Sequence, residues 1–213
     1  ATPDDVFIKD LAADFTVSED GTTYTFTIRD DAYFHDGAPV TAGDVAFTIQ
    51  MAQHPDMKSP RRADWEGVVV EEVDTKTVRM TLPHPYAPFL EVATLGILPK
   101  HLWQNIAVNE MPFHQLNTNP IGSGPFEIRN IKTNFDSTPE RYTLSAFHNF
   151  TLGKPFLDTL VFNFYPNEDE LFRAFERGAV DAVSGVAPEK VERFEKGHAV
   201  IRTPLPRIFA VFF

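Results

Sequence analysis

Apolar and polar residues alternate most cleanly near the start of the chain. Tyr24, Phe26 and Ile28 are interleaved with Thr23, Thr25 and Thr27, the period-two pattern of a strand with one buried face. Phe15 and Val17 form a shorter run of the same kind, and Asp20-Gly21 between the runs is a turn signal. A hairpin pairing 15–17 with 23–29 is therefore predicted. Asp30-Asp31 interrupts the pattern, Tyr33-Phe34 resumes it, and His35-Asp36-Gly37 turns the chain again. Then the period changes. Thr41 with Asp44 three residues on is a capping box. Val45, Ile49 and Ala52, widened by Phe47 and Met51, form a helical stripe that ends at His54-Pro55.

Downstream, a polar loop (55–65) leads to two strand patterns, 68–73 and 77–82, around the turn Asp74-Thr75-Lys76. Pro83, Pro85 and Pro88 then interrupt any regular element. A short apolar helix is predicted over 89–95 and a loop over 104–120. Residues 126–131 and 142–147 read as a second hairpin, joined by the polar stretch 132–141, and 160–165 as a further strand. Asn167, with Glu170 three on, caps a helix whose inner face is Leu171, Ala174 and Phe175, stopped at Gly178. A short strand at 179–183, a helix at 188–195 and strands at 199–203 and 207–213 are the last predicted elements. The start carries no signal-peptide pattern. The run 208–213 stops without turn or cap, and both ends are expected to be truncations of a longer protein.

Several blocks together resemble the family 5 extracellular solute-binding proteins, the receptors that feed ABC importers with oligopeptides, dipeptides, nickel chelates and some sugars. The longest is Tyr24-Thr25-Phe26-Thr27-Ile28-Arg29, Phe34-His35-Asp36-Gly37, Pro39-Val40-Thr41-Ala42 and Asp44-Val45-Ala46-Phe47. Others are Pro99-Lys100-His101-Leu102-Trp103, Pro120-Ile121-Gly122-Ser123-Gly124-Pro125-Phe126, and Gly153-Lys154-Pro155 with Leu157-Asp158. The resemblance implies a mixed α/β fold of the type II periplasmic binding protein class. It implies a ligand-binding lobe formed by residues 1–29 and 121–213, with a β-rich subdomain over 30–120 inserted in it and the second lobe lying beyond Phe213. It also implies a protein that performs no chemistry and uses no cofactor. Such a protein captures a peptide or other small solute in the periplasm, or anchored on the outer face of the cytoplasmic membrane, and hands it as a monomer to the transmembrane subunits of an ABC permease. Most specificity residues are expected outside residues 1–213, so these residues alone are expected to bind ligand weakly or not at all.

Composition bears this out only by exclusion. Net charge is -11 and no basic cluster exceeds Arg61-Arg62, which argues against a nucleic-acid partner. No apolar run approaches the ~20 residues of a membrane-spanning helix. Cysteine is absent and the seven histidines show no ligand spacing, so neither a disulfide nor a metal site is expected.

Candidate sites are few. His35-Asp36 reads as turn chemistry, the Asp bonding local amides. Gly122-Ser123-Gly124 lacks the residues of a nucleophile elbow or a phosphate loop. It reads as a backbone crossing near the interlobe hinge, where glycine permits close approach or positive φ, and its amides are candidate ligand contacts. Arg62 and Trp65 are the other candidates, one supplying a donor fork and the other a flat apolar face. In nickel-binding relatives an Arg-x-x-Trp touches the chelate, and Arg62-Ala63-Asp64-Trp65 has that spacing. Those relatives add an Arg after the Pro-Phe-Leu segment, where this chain has Ile97. The alternatives are a nickel-chelate or oligosaccharide receptor of the same family, a chaperone or signalling receptor on the same fold, and, in a different class, a hydrolase, for which no clustered acid–base set is visible.

Overall fold

The alternation at the start of the chain becomes a hairpin, β1 (Ala12–Val17) against β2 (Thr23–Ile28), with Phe15 opposite Phe26. The computed structural model describes residues 8–187, 189–191 and 200. β3 (Val69–Glu72) and β4 (Thr77–Thr81) form a second hairpin, and β2 pairs antiparallel with β4, giving one sheet in the order β1-β2-β4-β3. Tyr24 and Ile28 are buried, as the period-two pattern requires.

Helix α1 (Ala42–Gln53) carries the capping box read from the sequence: the Asp44 amide donates to Thr41 Oγ1 at 3.3 Å, and the Thr41 amide donates to Asp44 Oδ2 at 2.8 Å. Helix α2 (Phe89–Val92) is short and buries Phe89 and Val92. Helix α3 (Lys100–Trp103) is equally short and buries Trp103. α1 is buried on more than one stripe, because it packs on β3 and β4, on the 3-10 turn Arg62–Trp65, and on α3. The core gathers Tyr24, Ile28, Phe34, Ile49, Trp65 and Phe89.

The division expected between residues 29 and 30 falls inside this arrangement. β2, before the boundary, pairs from Thr23↔Thr81 to Thr27↔Thr77 with β4, which lies after it. The first hairpin therefore shares its sheet with the segment read as an inserted subdomain. Local patterning gives each strand but not its partner 50 residues away.

A second sheet has the order β5-β6-β7. β5 (Phe126–Thr133) and β6 (Pro139–Ala146) run longer than the sequence suggests, leaving only residues 134–138 as the turn. β7 is Thr159–Asn163. Of the strand residues in this sheet only Ala146 is buried. The chain divides into two compact units between Phe162 and Asn163, inside the stretch 121–213 read as one lobe. In the second unit α4 (Glu168–Glu176) is capped by Asn167, whose Oδ1 accepts from the Glu170 amide at 3.0 Å, and Gly178 follows with φ 68°. Its most buried residues are Phe172 and Ala174, so the expected face is rotated toward Phe172. Residues 179–183 carry no strand. The expected helix at 188–195 and strands at 199–203 and 207–213 lie largely outside the described residues, with 189–191 helical.

Candidate functional site

The Arg62–Trp65 turn is held from behind by Gln53, the last residue of α1. Its Nε2 donates to the carbonyls of Trp65 at 2.8 Å and Val68 at 2.7 Å. Arg62 is exposed and its Nε donates to the Gln53 carbonyl at 3.1 Å. Arg61 pairs with Asp64 at 2.6 Å. Trp65 faces the other way. It is 1% exposed, its ring meets Phe89 edge-on at 5.7 Å, and Phe89 in turn meets Tyr24 at 4.7 Å. The indole Nε1 is buried and finds no acceptor among the described residues. The turn thus presents an arginine outward and plugs the core with its tryptophan. The two do not form one exposed recognition surface: the core takes up the large apolar indole, while the guanidinium stays at the surface.

The crossing at 122–124 is held by His35. The His35 amide donates to the Gly122 carbonyl at 2.8 Å, the Gly122 amide reaches His35 Nδ1 at 3.2 Å, and His35 Nε2 lies 3.0 Å from the Gly124 carbonyl. The ring meets Phe147 edge-on at 4.9 Å. The expected reason for the glycines is not found here. Neither Gly122 nor Gly124 has positive φ. A Cβ on Gly122 would sit 3.6 Å from His35 Cε1, an ordinary contact, and one on Gly124 would meet nothing within 4 Å. Gly122→Ala is therefore expected to leave stability unchanged or raise it by up to ~1 kcal/mol through the unfolded chain. Chemical denaturation checks this, and a clear loss of stability would show that residue 122 is more confined than this contact implies. Among the described residues no hydrogen bond or ring contact joins Arg62 or Trp65 to the crossing.

The sequence blocks between these sites are stitched together. Asp36 accepts from the Ala38 amide at 3.1 Å, the local turn expected of it, and also bonds His101 Nε2 at 2.7 Å. Burial works against the Asp36 charge, but the His101 ring and the Ala38 amide outweigh it and hold its pKa below the ordinary carboxylate value. Asp44 reaches beyond its capping box to the Lys100 amide at 2.8 Å, and Thr48 Oγ1 accepts from the Leu98 amide at 2.9 Å. Lys76 Nζ donates to the Arg29 and Val40 carbonyls. These contacts serve architecture. Both ring nitrogens of His35 are committed to backbone, so it is not free to act as a base toward Ser123. Among the described residues no three His, Asp or Glu side chains converge to hold a metal ion. A groove of about 510 Å³ lies elsewhere, lined by Leu11, Phe15, Phe26, Leu90 and Leu95 among others, and includes none of the candidate residues.

The chain belongs to the bacterial extracellular solute-binding proteins of family 5, whose middle-region model matches residues 6–213. It has the mixed α/β fold of the type II periplasmic binding proteins. It is 28% identical over 220 residues to the dipeptide-binding protein of Escherichia coli (strain K12), a match that covers 93% of this chain and 40% of that protein. NikZ from Campylobacter jejuni, solved in complex with Ni(L-His), matches with a TM-score of 0.77 at 30% identity over 88% of this chain and 36% of its own. The oligopeptide-binding protein AppA from Bacillus subtilis, solved with a nonapeptide, matches with a TM-score of 0.72 at 27% identity over 80% and 34%. The chain spans less than half the length of these relatives. No described helix is long and apolar enough to cross a membrane.

Proposed function

We propose that the protein to which this chain belongs is the receptor of an ABC importer that captures peptides outside the cytoplasmic membrane and delivers them to the permease. The observation that carries this is the family match together with relatives named for dipeptide and oligopeptide binding. The receptor acts as a monomer whose two lobes close on the ligand by hinge motion. Peptide is held in part through its backbone, which tolerates varied side chains. Of the candidate residues, the exposed Arg62 fork suits a ligand carboxylate. The open space over Gly124 suits the approach of a ligand or of further chain to the Gly122, Ser123 and Gly124 backbone. Trp65 supports the turn from the core.

A nickel-chelate receptor is the second reading, favoured by the Arg-x-x-Trp spacing and the likeness to NikZ. Against it, Trp65 is buried and Ile97, standing where an arginine is expected, packs against the core. Calorimetry of the full-length protein with trialanine and with Ni(L-His) separates the two. Trialanine is expected to bind with Kd on the order of 1 μM or tighter, about -8 kcal/mol, and Ni(L-His) not at all. The reverse result replaces the first reading by the second.

A further inference from the structure

We infer that His35 is a positioning residue for the 122–124 crossing, and that it holds the crossing only as a neutral imidazole carrying its proton on Nε2. The Gly122 amide can only donate, so Nδ1, 3.2 Å away, must offer a lone pair. The Gly124 carbonyl can only accept, so Nε2, 3.0 Å away, must carry the hydrogen. A second proton would set an N–H at Nδ1 against the N–H of Gly122 and remove that bond. The clamp extends beyond the ring. Phe147 packs edge-on against it at 4.9 Å, and the Phe147 amide donates to the Pro125 carbonyl at 2.9 Å. The crossing is thus gripped from the turn at 35–37 and from the end of β6.

Among the described residues the imidazole has no carboxylate partner. Asp36, on the same turn, is bonded to His101 at 2.7 Å. The crossing, 121–125, brings no titratable side chain. Beyond Phe147 stands His148, which acts on Asp158. Nothing described bonds the ring except the two backbone groups that require it neutral. With the crossing at the interlobe hinge of a receptor that closes on its ligand, acid loosens that hinge and weakens closure. Only this consequence rests on the proposed receptor function.

The test is backbone amide exchange by NMR on the full-length protein without ligand, over roughly pH 5 to 8, where histidines change charge, each rate divided by the intrinsic rate at that pH. Protection of the Gly122 amide is expected to fall about tenfold toward acid, the size of one lost hydrogen bond. Ring nitrogen shifts at the alkaline end are expected to show Nε2 protonated and Nδ1 bare. His35→Gln supplies one acceptor and one donor without titrating, and is expected to keep part of the protection while losing its pH dependence. His35→Ala is expected to lose protection at every pH. Flat protection in the natural protein, or an acid loss that persists in His35→Gln, overturns the proposal. Should the alanine variant fail to fold, the titration and ring shifts of the natural protein decide. Trialanine calorimetry at both ends of the range then tests the consequence. An acid-sensitive clamp with pH-independent affinity leaves the clamp standing and removes the crossing from the hinge.

Discussion

Trp65→Ala is expected to lower stability by about 3–5 kcal/mol, a large share of what holds a domain of this size together. The indole is 1% exposed and packs on the Phe89 ring, which in turn meets Tyr24, so truncation removes one end of an aromatic cluster and leaves a cavity that short 3-10 and helical segments cannot collapse to fill. In chemical denaturation the midpoint should fall with an unchanged slope. Trp65→Phe should cost far less, because it keeps most of the apolar volume and removes an indole N–H that has no acceptor among the described residues. The pair of variants also bears on ligand. If Trp65 only supports the turn, the phenylalanine protein folds and binds trialanine as before. If the indole N–H recognises ligand after further movement, that protein folds and fails to bind. An alanine variant within about 1 kcal/mol of the natural protein would remove Trp65 from the core altogether.

What the sequence made legible was local. Tyr24, Phe26 and Ile28 alternate because one face of β2 is buried, and Thr41 with Asp44 marks a helix start because the two side chains serve each other's amides. What it hid was reach. Asp44 bonds an amide 56 residues away and His35 one 87 residues away, and no periodicity records such a partner. The β5–β6 hairpin shows another limit. Residues 132–141 read as loop because they are polar apart from Phe135, yet β5 and β6 continue into both ends of the stretch, with Lys132 paired to Glu140 at 2.7 Å across the ladder. A strand open to solvent on both faces has no alternation to show. In α4 the apolar residues Leu171, Phe172, Ala174 and Phe175 span more of the helix than one stripe needs. Which of them goes inside is fixed by neighbours, and the structure chose Phe172. The candidate site was legible in part. Arg62 and Trp65 share a turn as their spacing suggested, but only the fold shows that the tryptophan is its root. For the crossing, the glycines are what the sequence displays, while His35, which bonds it through both ring nitrogens, reads there as an ordinary turn residue.

Asp44→Ala is the second change expected to be severe, at about 3 kcal/mol or more. The carboxylate is 4% exposed and accepts from the Thr41 amide at 2.8 Å, the Thr41 hydroxyl at 2.6 Å and the Lys100 amide at 2.8 Å. Hydrogen bonds to a charged group contribute about 1.5–3 kcal/mol each, and a buried donor left bare costs about 1–3 kcal/mol. Alanine here strands two backbone amides at once, one at the start of α1 and one at the start of α3. Thr41→Ala is the control. It removes the hydroxyl that caps the Asp44 amide and donates to the carboxylate, but leaves the carboxylate bonded to both backbone amides, so it should cost about 1–2 kcal/mol, clearly less than the loss of Asp44. The difference between the two variants measures the bridge between the helices. Amide exchange at Lys100 should rise in Asp44→Ala and stay low in Thr41→Ala. If the two variants melt alike, the bond to Lys100 contributes nothing, and the segment 97–101 is held by the Thr48 hydroxyl at Leu98 and by His101 on Asp36 instead. Asp44→Asn should fall between them. It keeps one acceptor oxygen, and whichever backbone amide that oxygen does not face then meets the donor side of the new amide.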